Sequence, residues 1–275
     1  MPYAKQPRKN SAWRVIGVLV GQFRRVNGFS QQGLADDVLI SLDTLASIEQ
    51  GRRPLGMKLA RELDVVLHTG GALEAAVSEV PQAERYPLFA QDYMEEEPQA
   101  LTLMSYETHV VPGLLQTEEY MRASFVECLF PPLTPDEVEE RITDRIARQK
   151  IFERSPSPPI MSFIFEESIL DRPIGGKDAM RRQIARIREA ADLPFVTIQI
   201  MPRDRQQHAS LAGPMVLLET PAHEPMAYFE IHDVSALVDD PDEVSKLQQR
   251  YAMLRSQALT PEESKRLLDD LLGEQ

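Results

Sequence analysis

The hydrophobic period of this chain changes once, at Pro156, Pro158 and Pro159. Before these prolines apolar residues recur mostly at helical spacing. After them come short runs rich in β-branched and aromatic residues, which is strand patterning. That order confines the fold to a helical N-terminal part followed by a part that mixes strands with helices. The expected class is α+β, with an N-terminal all-α domain at residues 1–70, a helical connector at 71–155 and a mixed α/β C-terminal domain at 156–275.

Within the first part, Ile16, Val20 and Phe23 fall at i, i+4 and i+7 and predict a helix over 12–26, stopped by Asn27-Gly28. Ser30 is placed as the N-cap of a second helix with Leu34, Ala35 and Val38 inward. Gly33 weakens that helix by about 1 kcal/mol relative to Ala. Ser41 caps a third helix, which runs to about Gln50 with Leu45 and Ile48 inward and ends at Gly51. Arg52-Arg53-Pro54 reads as a turn, and a fourth helix carries Leu59, Leu63, Val66 and Leu67 before Gly70-Gly71.

From 72 to 152 the pattern reads as mostly helical, interrupted by prolines, with a clear amphipathic helix over 136–152. Beyond the boundary, strands are expected at 160–165, 195–201, 214–219 and 226–231. Helices are expected at 178–191, 241–257 and 261–272. The resulting order, β-α-β-β-β-α-α, predicts a partly antiparallel sheet.

Net charge is −13, but its distribution is uneven. Residues 1–68 carry ten basic and six acidic side chains, a net +4, which leaves −17 on the remainder. A basic head on an acidic body suits a polyanion partner at one end only. No run approaches the roughly 20 apolar residues of a membrane-spanning helix. The polar N-terminus MPYAKQPRKN reads as carrying no signal peptide. Cys128 is the only cysteine, so neither an intramolecular disulfide nor a cysteine-based zinc site can form, and a cytoplasmic location is expected. Its apolar neighbours Phe125, Val126, Leu129 and Phe130 predict a buried, inert thiol.

Residues 29–53 place two short serine-capped helices about four residues apart, a spacing that lets the second project into a major groove. Ser30, Gln31, Leu34 and Ala35, then Ser41, Thr44, Ile48, Glu49, Gly51 and Arg53, resemble the helix-turn-helix of the XRE family of lambda-repressor-like regulators. The resemblance implies double-stranded DNA as partner. It puts Gln31 and Gln32 near phosphate, Ser41 at the cap, Leu42, Asp43, Thr44 and Ser47 at base edges, and Arg52 and Arg53 on phosphate. Glu49 reads as structural, paired with Arg53. The reading face departs from the family in lacking Arg, Lys, Asn and Gln at Leu42, Asp43 and Ser47, so the strongest readers of G and A are absent there. A basic arm at Lys5, Arg8 and Lys9 could seek a groove, although a tail without fixed structure is the expectation.

The body also resembles one family. His109–Tyr120 (HVVPGLLQTEEY), Arg172–Gly176 (RPIGG), Phe195–Pro202 and Gly213–Thr220 are similar to the antitoxin-like XRE regulators of filamentous bacteria. That resemblance implies a homodimeric, autoregulatory transcription regulator. Its control would come from a small protein encoded by a neighbouring gene or from a small-molecule effector. The alternative it leaves open is an interaction module that sequesters a small partner, with DNA binding secondary.

Enzyme chemistry finds little support in the residues. There is no HExxH, no G-x-S-x-G elbow and no phosphate-binding glycine pattern. Neither a cofactor nor catalysis is expected. Glu166-Glu167 follows a strand, and because adjacent residues on a strand face opposite ways the two are not expected to act together on one bond. His232-Asp233 near Glu230 reads as a surface turn, and Gly175-Gly176 as turn and cap chemistry. Pro112–Thr117 is expected to pack at a domain junction, or else to line a pocket with Tyr106 and Tyr120.

Overall fold

A computed structural model describes residues 12–80, 91–231 and 234–273 of the chain. The basic arm and His232-Asp233 lie outside these residues. The chain divides near Gln91 into two compact units.

The first unit is all helical, with α1 (Ala12–Val26), α2 (Gln31–Asp37), α3 (Leu42–Glu49), α4 (Met57–Val66) and α5 (Ala72–Ser78). The caps sit where the serines predict. Ser30 Oγ accepts from the Gly33 amide at 3.0 Å, and Ser41 Oγ accepts from the Thr44 amide at 3.1 Å. One core holds Trp13, Ile16, Val20, Leu34, Leu45, Ile48, Leu63, Leu73 and Val77. α5 therefore belongs to this core, although the sequence reading assigns it to the connector. Its N-terminus is satisfied from α4: Asp64 accepts from the Leu73 and Glu74 amides at 2.9 and 2.8 Å and from the Thr69 hydroxyl.

The second unit opens with a short helix, α6 (Gln91–Glu96), and then enters β1 (Thr102–Glu107). Next come α7 (Glu118–Glu127), α8 (Pro135–Gln149), β2 (Ile160–Glu166), α9 (Ser168–Asp171), α10 (Lys177–Ala190) and β3 (Val196–Met201). β4 (Met215–Glu219), β5 (Pro225–Ile231), β6 (Val234–Val238), α11 (Pro241–Gln257) and α12 (Pro261–Leu272) complete it. The sheet order is β3-β2-β1-β4-β5-β6. β1, β2 and β3 run parallel, whereas β4, β5 and β6 are antiparallel to their neighbours. The α+β class, with helical segments joining an all-α part to a mixed α/β part, is what the structure holds.

Two strands escape the sequence reading. β1 lies inside the stretch read as helical, yet it is central in the sheet, between β2 and β4. Six residues in which Leu103, Ser105 and Tyr106 are buried are too few to establish a period against the helices around them. β6 is five residues long and follows β5 so closely that it offers no separate signal.

Each face of the sheet buries its own set of side chains, as strand alternation requires. On one face Leu103, Phe163, Phe165, Ile198 and Ile200 meet Tyr120 of α7, Ile184 and Ile187 of α10 and Leu268 of α12. On the other, Tyr106, Ile164, Met201 and Leu217 meet Val244, Tyr251 and Leu254 of α11. Tyr251 buries its hydroxyl there by donating to the Ser162 carbonyl at 2.9 Å.

Candidate nucleic-acid interface

α2 and α3 are joined by four residues, Val38 to Ser41. Val38 is buried, while Leu39 adopts φ 55 and is 92% exposed. That left-handed turn redirects the chain so that α3 crosses α2 and exposes its first turn. Ser41, Leu42 and Asp43 are exposed there, and Thr44 and Ser47 are half-buried. The Ser41 and Thr44 hydroxyls also bond each other at 2.8 Å, so these two candidate residues act as one polar unit.

Two glycines bring α1 onto the far end of α3. A Cβ on Gly17 would fall 2.3 Å from the Ile48 carbonyl oxygen, and one on Gly51 would fall 2.6 Å from the Arg14 Cα. Gly51 also has φ +68, the conformation that turns the chain out of α3. The following amides, of Arg52 and Arg53, both donate to the Ser47 carbonyl, at 2.9 and 3.3 Å. The two exposed arginine side chains are thus carried on a backbone hydrogen-bonded to α3 itself.

Glu49 is structural, but its partner differs from the expected Arg53. Arg24 of α1 donates to it through Nε and Nη2, at 2.5 and 3.0 Å, and Gln31 of α2 donates at 2.8 Å. Arg24 also donates to the Phe29 carbonyl at 2.9 Å, and its bond to Glu49 holds its own pKa above the ordinary arginine value. Gln31 is accordingly half-buried with its amide committed inward, whereas Gln32 is exposed and donates to Asp36 at 2.7 Å. Asp36, Asp37 and Asp43 are all exposed around the turn, so the joint is locally acidic while Arg52 and Arg53 make the end of α3 basic.

In the second unit, Pro112–Thr117 is a pinned turn. Gln183, fully buried, donates to the Leu115 carbonyl at 2.8 Å and accepts from the Thr117 amide at 2.7 Å. Gln149 donates to the Gln116 carbonyl, and Arg145 to the Gln116 side chain. The alternative, a pocket shared by this turn with Tyr106 and Tyr120, does not form, because the two rings pack on opposite faces of the sheet.

Tyr106 instead joins a cluster that the sequence reading missed. Its hydroxyl donates to Glu166 at 2.6 Å, and His208 Nε2 lies 2.9 Å from the same carboxylate oxygen. His208 Nδ1 accepts from the Ser210 amide at 3.1 Å, which puts the ring proton on Nε2. These residues come from β1, β2 and the β3–β4 connection, and no short-range pattern links them. Glu167 takes a separate partner, Arg203 at 2.9 Å, which lowers its pKa. A shallow hollow of about 350 Å³ lies elsewhere, lined by Gln199, Ala252, Arg255, Ser256, Thr260 and Pro261. Cys128, expected to be buried, is exposed. α7 ends there, and Val126, Leu129 and Phe130 point to solvent instead of enclosing the thiol.

Among the described residues no three His, Cys, Asp or Glu side chains gather as metal ligands. No helix among them is long and apolar enough to cross a membrane. Residues 90–270 match a protein family described as Domain of unknown function (DUF5753). No curated protein and no solved structure matches the chain.

Proposed function

The chain belongs to the DUF5753 family through residues 90–270, and we propose that it is a sequence-specific DNA-binding transcription regulator of the XRE type. Its helical N-terminal part is followed by a mixed α/β accessory domain, the layout of a reading head with a control body. The reading rests on one observation above all. The Ser41-capped N-terminal turn of α3 stands exposed on a short joint from α2, the presentation a helix needs to enter a major groove by its N-terminal end.

In this reading Leu42, Asp43, Thr44 and Ser47 meet base edges, with Ser41 at the cap. Leu42 suits a thymine methyl, and the Asp43 carboxylate suits the cytosine amino group. Arg52, Arg53 and Gln32 serve phosphate, while Gln31 supports the site from within by orienting Glu49. A dimer would present two heads about 34 Å apart, matching half-sites one helical turn apart. Control would come through the body, from a small protein partner or a ligand, and one target would be the regulator's own gene. The reading is non-catalytic.

The second reading, a partner-sequestering module with DNA binding secondary, draws on the acidic rim of Asp36, Asp37 and Asp43, which disfavours phosphate at the turn. Capture of sheared genomic DNA by the purified full chain, followed by sequencing, separates the two. A few sharp peaks with paired half-sites support the regulator. A flat profile overturns it in favour of the interaction module.

A further inference from the structure

The hollow of the second unit is left without a role by the preceding account. It lies where the last turns of α11 meet the start of α12 beside β3. Ala252, Arg255 and Ser256 line it from α11, Thr260 and Pro261 from the start of α12, and Gln199 from β3. Its volume of about 350 Å³ suits a small ligand.

Two of these side chains are incompletely used. Gln199 is only 5% exposed. Its Nε2 donates to the Arg255 carbonyl at 3.1 Å and to the Leu259 carbonyl at 2.8 Å, which takes up both amide hydrogens. Oε1 is left over, and among the described residues no group donates to it. A buried acceptor of this kind calls for a donor. Arg255 is the second. Arg122, Arg148, Arg182, Arg188 and Arg203 of this unit are each paired with a carboxylate. The exposed Arg255 guanidinium makes no such pair among the described residues.

The rim is basic as well. Glu263 accepts from the Thr260 amide and hydroxyl, which hold its pKa below the ordinary carboxylate value, and Arg266 and Arg205 lower it further. Both guanidiniums therefore stand near the first turn of α12. Thr260 and Pro261 of that turn line the hollow, so it lies at the positive end of a twelve-residue helix. This basic opening is set in a body whose net charge is −17.

From this arrangement we infer that the hollow binds a small phosphorylated polyol, its phosphate held by Arg255 at the start of α12 and one hydroxyl donating to Gln199 Oε1. Three guanidiniums around one opening suit a dianion with three acceptor oxygens better than a single carboxylate. A hydroxyl supplies the donor that Gln199 lacks, whereas an amine would bring positive charge against the arginines. The inference names a ligand class for the control body proposed above and rests on that reading for its regulatory meaning, but its test involves no DNA.

Isothermal titration calorimetry of the full-length chain, in buffer without phosphate or sulfate, uses inorganic phosphate, glycerol phosphate and propyl phosphate as probes. Propyl phosphate has nearly the size and charge of glycerol phosphate but no hydroxyl. Glycerol phosphate is expected to bind about tenfold more tightly than propyl phosphate, the worth of one hydrogen bond to a buried acceptor. Inorganic phosphate should compete with it. Arg255→Gln should weaken glycerol phosphate by about tenfold, with far-ultraviolet circular dichroism unchanged. Arg250→Gln removes the same charge from an exposed position of α11 outside the hollow and should leave binding as it was. No binding of glycerol phosphate overturns the inference. So does equal affinity for propyl phosphate, or an equal loss with Arg250→Gln, which would mean attraction by charge in general. If glycerol phosphate binds as expected but genomic capture is flat, the ligand site stands and the DNA reading falls.

Discussion

Arg24 and Glu49, 25 residues apart, close on each other at the junction of α1, α2 and α3 with side chains only 11% and 9% exposed. An ion pair so withdrawn from water depends on both partners, because removing one strands the other's charge. Arg24→Met is expected to cost about 3 kcal/mol. Glu49→Met should cost a similar amount, and the double replacement should cost clearly less than the two together. Trp13, the only tryptophan, is buried in this unit's core, so its fluorescence during urea unfolding follows the head alone. Additive losses would show that the pair is not coupled.

Gly17 sets the crossing of α1 on α3 that makes this pairing possible. Its missing Cβ would stand 2.3 Å from one backbone oxygen and 2.8 Å from the next, neither of which can swing aside. Gly17→Ala should therefore destabilise the head by about 2–3 kcal/mol although Ala is the better helix former. Gly28→Ala provides the comparison, since there the space is open and only the positive φ is unfavourable. A stabilised Gly17→Ala head in the same fluorescence experiment would contradict the close packing.

The difference between what was legible in the sequence and what was not follows from range. Ser30, Ser41 and Gly51 act on amides or dihedrals within a few residues, so the helix ends of the first unit are readable locally. Arg24–Glu49 is invisible until the α1–α3 crossing is known, and the sequence reading paired Glu49 with its near neighbour Arg53. The Tyr106–Glu166–His208 cluster joins residues up to 102 positions apart and has no local signature. Cys128 misled for the opposite reason. Its apolar neighbours imply burial only where something covers them, and among the described residues Val126 and Phe130 stay exposed. The proposed reading residues Leu42, Asp43, Thr44 and Ser47 were nameable from the helix register, but the inward commitment of Gln31 was not.

Glu107, at the end of β1, makes the second unit sensitive to pH. Burial pushes its pKa from an ordinary 4.5 up to about 7; the Ser105 hydroxyl lowers it, Glu230 raises it, and Arg145 and Arg148 lower it. Below pH 4.5 the carboxyl is protonated both folded and unfolded and has no effect on stability. Between about 4.5 and 7 the folded chain holds a proton that the unfolded chain has lost, so stability falls as pH rises. Above 7 the loss is complete. Glu107→Gln should thus raise the melting temperature of the second unit at pH 8 and leave it unchanged at pH 4, as followed by calorimetry on the full chain. An equal shift at both values would mean that Glu107 is ionised normally.

Arg52 and Arg53 separate charge from sequence reading in the proposed head. Both side chains are exposed, and their amides are tied to Ser47, so Arg→Ala at either position keeps the backbone hydrogen bonds that anchor this segment to α3. If they meet phosphate, Arg52→Ala/Arg53→Ala weakens binding to every DNA sequence alike. It should also flatten the salt dependence by about 2 in the slope of log K against log salt, two phosphate contacts having been lost. Thr44→Ala and Ser47→Ala should do the reverse, changing the preferred site while leaving affinity for random DNA nearly intact. Thr44→Ala carries a second effect, because its hydroxyl bonds Ser41, the cap of α3, and losing that bond loosens the same turn. Ser47→Ala is therefore the cleaner probe of base reading. Fluorescence anisotropy with the captured site and a scrambled duplex, each across a salt series, measures both quantities. If all four replacements leave both quantities unchanged, α3 is not the reading helix.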